Sequence, residues 1–341
     1  MADNKVTRQQ FLRITGVAGV SLALGGGLVK ELLRKAALHR IRETRIQMGT
    51  PVTVSVVHPE AAAARRMVAA VFAEMERLEG MLSRYRQETF ISRLNRNGIV
   101  RGVPNEVVHV VQSALEYSAL TGGAFDVTVA PLLDLYRTSF DRTGTPPSES
   151  ELDKAFSLVG YRHVLVDDGV IAFGRRGMSV TLDGIAKGYI VDRAVQVLEE
   201  LGAERVLVDA GGDMGTVGER SPGKGWRLAI QHPRNEKSYL GTLQLHGESV
   251  ATSGDYLQYF TEDKRLHHIL DPRTGRSPDH TSAVTVVTPT AMEADALSTA
   301  VFVLGPQPGL RLVAKLKGVE VVIVTKELDV LTSTGLSRYM V

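Results

Sequence analysis

A chain of 341 residues, 43% hydrophobic and 23% charged, has the composition of an ordinary globular protein with room for one large or two small domains. A formal net charge of +2 argues neither for nor against nucleic acid, but the lack of a basic cluster interleaved with aromatics weighs against a nucleic-acid binder. The absence of cysteine excludes disulfides, thiolate metal sites, iron–sulfur ligation, a cysteine nucleophile and a lipoprotein anchor, and it suits an oxidising compartment.

The chain opens with T-R-Q-Q-F-L-R-I-T-G from Thr7 and an apolar run over 17–29. A basic region followed by a short apolar stretch reads as an export signal. It resembles a twin-arginine signal of the type T-R-R-x-F-L-R, with Gln9 in place of the second Arg. The run is short and Gly-rich for a membrane span, and no A-x-A cleavage site follows it. The basic, helix-compatible segment 30–42 leaves two further readings: an uncleaved anchor, or an amphipathic N-terminal helix of a cytoplasmic protein. Residues 1–40 are set apart on this ground from a catalytic unit over 41–341.

Alternation predicts a strand over 45–58, flawed by Pro51. Apolar residues at helical spacing (Met67, Val71, Met75, Leu78, Leu82) predict a helix over 60–85. A second helix covers 107–121 and ends at Gly122-Gly123. Residues 142–150 read as a loop, with Ser148 or Ser150 capping a short helix. Segments 163–173 and 178–182 read as a hairpin around Asp168-Gly169. A helix follows at 187–201 and a buried strand at 205–209. Further strands are predicted at 226–231, 239–245, 249–252, 283–288 and 318–325, and a helix at 291–304. Strands and helices mix without regular βαβ alternation, which predicts α+β rather than a doubly wound sheet.

The run E-A-D-A-L-S-T-A-V-F-V-L-G from Glu293 places Asp295 and Thr299 on one helical face. A carboxylate and a hydroxyl suit a hard cation such as Mg²⁺, and Ser298 offers a third oxygen. An unpaired Asp in such apolar surroundings is costly. The plainer alternative is a helix start, with Asp295 capping and Thr299 bonding back to the preceding turn. A second segment, V-T-L-D-G-I-A-K-G-Y-I-V-D from Val180, reads as a strand end, a Gly-containing turn and a helix carrying Lys187. Such a junction binds phosphate oxygens, or is merely a junction. Asp209 and Asp213, flanking A-G-G, read as turn-shaping residues.

Together these segments resemble the ApbE family, the FAD:protein FMN transferases. Eight motifs stand in family order: M-G-T from Met48, L-S-R-Y-R from Leu82, G-A-F-D-V-T-V-A-P-L from Gly123, L-D-G-I-A-K-G-Y from Leu182, V-D-A-G-G-D-M-G from Val208, A-T-S-G-D-Y from Ala251, H-H-I-L-D-P-R-T-G from His267 and A-D-A-L-S-T-A from Ala294. The resemblance spans roughly 46–336. It implies a two-lobed, T-fold-related α+β architecture with the flavin between the lobes, FAD as substrate and Mg²⁺ as cofactor, Mn²⁺ being the open alternative.

For the site, the resemblance implies a metal held by Asp295 and Thr299, with Ser298 and a carbonyl near Gly184. It implies flavin contacts from Met48, Tyr85, Ala124, Phe125, Asp126, Lys187, His268 and Ile269. Tyr85 has the flat face that stacks on a flavin or adenine ring. Relatives carry D-L-G-G where this chain has Thr181-Leu182-Asp183-Gly184, leaving open whether Asp183 takes over the carboxylate role. An attacking hydroxyl needs a base. His268 is the candidate, because successive strand residues face opposite ways and only one of His267 and His268 should face the site. Asp255 is the competing base.

The implied reaction moves FMN onto a Thr or Ser hydroxyl of an electron-transfer protein and releases AMP. The implied acceptor carries D-x-x-[S/T]-G-A-[S/T], as in Rnf/Nqr subunits or the flavoproteins of nitrous oxide reductase maturation. The implied location is the periplasm, free or held at the inner membrane. The alternatives are an FAD pyrophosphate hydrolase and a non-catalytic FAD-binding or delivery protein.

Overall fold

The computed structural model describes residues 38–341, so the predicted export segment lies almost wholly outside the described residues. Strands β1 (His39–Gln47) and β2 (Thr50–His58) form a hairpin where a single strand over 45–58 was expected. The turn is Met48-Gly49, both at positive φ (51° and 71°), which matches the twist of flanking strands. A Met at positive φ carries no turn signal in sequence, and this hid the hairpin. Pro51 lies just before the first residue paired with β6, where its missing N–H costs no ladder bond. His39 to Arg42, read as helix-compatible, belong to β1.

The chain continues through α1 (Ala61–Leu82), α2 (Phe90–Asn97), β3 (Ile99–Arg101), α3 (Asn105–Leu120), α4 (Ala130–Thr143) and α5 (Glu149–Phe156). Ser148 caps α5 in a reciprocal box with Glu151. β4 (Val164–Asp167) and β5 (Val170–Phe173) make the predicted hairpin around Asp168-Gly169, completing a small sheet β3-β5-β4. The expected continuation over 178–182 is not a strand. The Asn95 side chain takes the partner's place, accepting from Val180 N–H and donating to its carbonyl, both at 2.8 Å.

Next come α6 (Ala186–Glu200), β6 (Val206–Ala210), β7 (Asp213–Val217), β8 (Trp226–His232), β9 (Asn235–Leu245), β10 (Ser249–Gly254), β11 (Thr281–Thr288), α7 (Ala291–Leu304), α8 (Pro306–Val313), β12 (Glu320–Thr325) and β13 (Val330–Thr332). The main sheet has the order β1-β2-β6-β7-β10-β11-β12-β13. Every neighbouring pair in it is antiparallel, consistent with the α+β expectation.

Helices α1, α6 and α7 cover one face of this sheet, and the β8–β9 hairpin covers the other. On β11, Val284 and Val286 pack with α7, while Val287 faces Leu228 and Leu245 of the hairpin. This two-sided cover explains why every residue of β11 and β12 is buried. β7 was missed because it holds Gly215 mid-strand. A Cβ there would lie 2.9 Å from Val195 and 3.1 Å from Val191 of α6, so only glycine lets the helix settle on the sheet. α4 was missed because its polar residues break the apolar period. Its signals are Pro in the first turn and Gly144 closing it at φ 67°.

Candidate active site

The β1–β2 turn, the β6–β7 turn, the end of β10 and the first turn of α6 meet at one end of the main sheet, beside α7. Helix α7 is held there from both sides. Thr290 is its N-cap, accepting from Glu293 N–H. Asp192 of α6 accepts from the N–H groups of Ala291 and Met292 at 2.6 and 2.8 Å. Burial pushes the Asp192 carboxyl up to about 6. Capping is therefore done by Thr290 and Asp192, and not by Asp295.

Asp295 sits in the second turn, 5% exposed, accepting from Gly188 N–H at 3.1 Å. Thr299, one turn on, faces Gly184. A Cβ on that glycine would lie 3.1 Å from Thr299 Oγ1 and 3.2 Å from the Phe125 ring. Ser298 is the residue that bonds back, donating to the Asp295 carbonyl at 3.0 Å. Ser253 of β10 links the two hydroxyls, 2.8 Å from Ser298 Oγ and 3.1 Å from Thr299 Oγ1.

Asp213, read from sequence as a turn residue, is the second acid here. It is 2% exposed, and Lys187 Nζ approaches its Oδ2 at 3.3 Å, an ion contact without a hydrogen bond. Asp209 does shape the turn, accepting from Gly212 N–H at 3.2 Å. Burial pushes both Asp213 and Asp295 upward, and Asp213 drives Asp295 further still. Burial alone would lower the Lys187 ammonium, but Asp213, Asp295 and Asp209 together outweigh it and raise it. Lys187 is thus drawn to the carboxylates rather than standing free in the cleft.

Two buried carboxylates face one ammonium, so the pair either keeps a proton or takes up a cation, and Asp213 Oδ2 has no hydrogen-bond donor. These residues fit a divalent hard cation, with Asp295, Asp213 and Thr299 as oxygen donors and the Gly184 turn beside them. Among the described residues no three His, Cys, Asp or Glu side chains converge as a metal cage. A cation here would keep coordination positions for water or phosphate oxygens, as Mg²⁺ prefers.

Above this seat, the Tyr85 hydroxyl donates to Asp183 Oδ2 at 2.6 Å and accepts from Arg137 Nη1 at 3.2 Å. Tyr85 is 62% exposed, so its ring face is open. Asp183 therefore reaches the same cleft as Tyr85, although it stands two positions from the family's Asp. His267 and His268 face opposite ways. His267 is buried edge-on to Phe302 at 5.4 Å, bonded through Nε2 to the Pro278 carbonyl at 3.1 Å, and burial lowers it to about 4. His268 is half-buried, and its Nδ1 lies 2.8 Å from the Gln258 carbonyl. A carbonyl only accepts, so Nδ1 carries the proton and Nε2 keeps its lone pair. Loss of solvation lowers the His268 imidazole, and Arg137 and Lys187 add to this.

Two expected residues do something else. Asp255 is fully buried and ion-paired, with Arg234 at 2.6 and 2.7 Å and Lys326 Nζ at 2.6 Å. Both its oxygens are engaged, so it braces β10 and does not serve as a base. Asp255→Asn is expected to destabilise by roughly 3 kcal/mol, because two part-buried cations lose their counter-charge. Denaturant unfolding should show that loss, and the pH profile of the folded enzyme should stay in place. Asp126 turns inward, accepting from Thr128 N–H, Thr128 Oγ1 and Tyr161 N–H at 2.8, 2.6 and 2.9 Å. Its carboxylate is spent on the backbone. Ala124, Phe125 and Ile269 are buried core residues with little surface left for a ligand. Met48 lies at the β1–β2 turn, donating its N–H to Glu79 Oε2 at 3.1 Å.

Sequence reasoning missed Asp213, Ser253, Arg137 and Gln258 as members of this constellation. V-D-A-G-G-D-M-G and A-T-S-G-D-Y had flagged the first two segments, while Arg137 sits on the unpredicted helix α4.

Comparison with known proteins gives the family. The ApbE family model matches residues 48–323. The FAD:protein FMN transferase of Salmonella typhimurium is 31% identical over 330 residues, 94% of each chain. That of Escherichia coli K12 is 30% identical, covering 83% of each. Among solved structures, the flavin transferase ApbE from Vibrio cholerae superposes with a TM-score of 0.80 at 27% identity, covering 89% of this chain and 99% of that one. The ApbE protein from Thermotoga maritima gives 0.80 at 30% identity, covering 88% and 99%. With its fold and most of its length matched in this way, the chain is an enzyme of the ApbE family.

Proposed function

We propose that this protein is a Mg²⁺-dependent FAD:protein FMN transferase, moving FMN from FAD to a Thr or Ser hydroxyl of an acceptor protein. The observation that carries this reading is the buried Asp213–Asp295 pair, facing one ammonium, beneath a cleft whose wall presents His268 Nε2. Asp295, Asp213 and Thr299 would hold the cation, which when bound supplies charge neutralisation for pyrophosphate oxygens. The acceptor hydroxyl forms a bond to the flavin-side phosphorus. The bond from that phosphorus to the bridging oxygen breaks, and AMP leaves with that oxygen. His268 Nε2 takes the hydroxyl proton, its ring oriented by the Gln258 carbonyl. The exposed Tyr85 face offers a stacking surface for the flavin or adenine ring.

The acceptor we infer is an electron-transfer protein bearing D-x-x-[S/T]-G-A-[S/T], of the Rnf/Nqr or nitrous-oxide-reductase-maturation kind. The site of action we infer is the periplasmic side of the inner membrane, on the strength of the signal-like segment over 7–29. No helix among the described residues is long and apolar enough to cross a membrane.

The test is incubation of the protein with FAD, Mg²⁺ and such an acceptor domain, read by intact mass and AMP assay. Expected is one FMN mass addition per AMP released. His268→Asn is expected to lower the rate by about 10²-fold or more with FAD still bound. AMP without a modified acceptor would support the hydrolase instead, and bound FAD with neither product a binding protein.

A further inference from the structure

Arg137 projects from α4 between two walls of the cleft. One of its guanidinium nitrogens donates to the Tyr85 hydroxyl at 3.2 Å, and the other reaches Gln258 Oε1 at 3.5 Å. Gln258 is the residue whose carbonyl accepts from both His268 Nδ1, at 2.8 Å, and the His268 backbone N–H, at 3.1 Å. Arg137 therefore touches the side chain of the residue whose backbone carbonyl selects the His268 tautomer on one side, and the Tyr85–Asp183 pair on the other.

The frame that holds this contact is packed from both sides. Residues 256–268 form a small flap closed by a Tyr259–His267 bridge. Two residues beyond Gln258, the Phe260 ring stacks on Tyr136 and Phe140 of α4, with centroids 5.7 and 5.2 Å apart and planes tilted by 22° and 10°. Tyr136, the neighbour of Arg137, is buried. The aromatic stack fixes the register of α4 against the flap, and Arg137 needs no rearrangement to span the two walls.

We propose that Arg137 is a positioning residue for the transfer: it clamps the Gln258–His268 flap against the Tyr85–Asp183 wall and so holds His268 where its Nε2 takes the proton. This rests on the base role given to His268 under the proposed function. The charged and titratable groups facing His268 are Arg137 from α4, Lys187 from α6, Asp183 from the turn before α6, and His267 beside it. Arg137 and Lys187 disfavour the imidazolium, and Asp183 favours it. Removing Arg137 therefore moves the His268 titration to higher pH, and the neutral, proton-accepting form is depleted at a given pH.

The experiment is an NMR titration of the histidine imidazoles in the full-length protein, as wild type, Arg137→Ala and Arg137→Lys, with His268→Asn to assign the resonance. It runs beside kcat and KM for FAD across pH. In Arg137→Ala the His268 titration and the acid limb of kcat should both move up, with kcat at neutral pH falling about tenfold or more and KM changing less. Arg137→Lys should restore the titration, because the charge returns, but only part of kcat, because one ammonium cannot span both walls. An unchanged imidazole titration in Arg137→Ala overturns the proposal. A shifted titration in an enzyme that keeps its activity after His268→Asn leaves Arg137's hold on the imidazole standing and overturns the base role instead.

Discussion

Asp295→Asn is expected to abolish transfer, lowering kcat by about 10³-fold or more, since the lost interaction with a cation contributes several kcal/mol to a charged transition state. The substitution keeps the shape of the side chain and an oxygen to accept from Gly188 N–H, now at 3.1 Å. It removes one of two like charges that burial disfavours. The metal-free protein should therefore melt no lower than wild type. The discriminating signal is ligand-linked: Mg²⁺ should raise the Tm of the wild type by mass action and leave the variant unmoved. Scanning calorimetry with and without Mg²⁺, run beside the AMP assay, checks both. A Mg²⁺-induced rise that survives in Asp295→Asn would falsify the cation seat.

Gly188→Ala is expected to be the most damaging small substitution for stability. A Cβ at this position would lie 2.6 Å from the Ala291 carbonyl carbon and 2.7 Å from Met292 Cα, well inside contact distance of backbone that cannot turn aside. α6 and α7 would have to separate, costing about 3 kcal/mol or more. That separation also pulls Gly188 N–H from Asp295 and the Asp192 carboxylate from the α7 N-terminus, so the cation response should weaken with stability. Gly80→Ala is the matched control. It lies on the exposed side of α1 with nothing within 4 Å of a built Cβ, so it should stabilise by up to about 1 kcal/mol. Urea unfolding of the pair should give opposite signs. Equal signs would show that the helix crossing is looser than the distances indicate.

Helix α7 was readable in the sequence to the residue, 291–304, because its determinants are local: a Thr cap at 290, an apolar run and Gly305 after it. The shared face of Asp295 and Thr299 follows from helical period alone; His267 and His268 do face apart, but from a loop with one isolated bridge at His267 and not from the strand that the expectation assumed. The α+β class was legible in the irregular succession of elements. Local signals failed where the chain used an uncommon residue for a common job. A Met at positive φ made the β1–β2 turn, and polar residues ran through α4, which removed Arg137 from view.

What only the tertiary structure decided is which charges meet. Asp255 pairs with Arg234, 21 residues before it, and Lys326, 71 residues after it, and nothing near Asp255 in the chain announces either partner. Asp213 and Asp295 stand on a strand and a helix joined by no local signal, and they meet because α7 crosses β7 and β10 on the covered face of the sheet. Capping, period and turn geometry are encoded within a few residues of backbone. The cost of burying a carboxylate depends on what the completed fold brings to it, so Asp213 could read as a turn residue in sequence and prove half of a buried pair, while Asp255 could read as a base and prove an internal counter-ion.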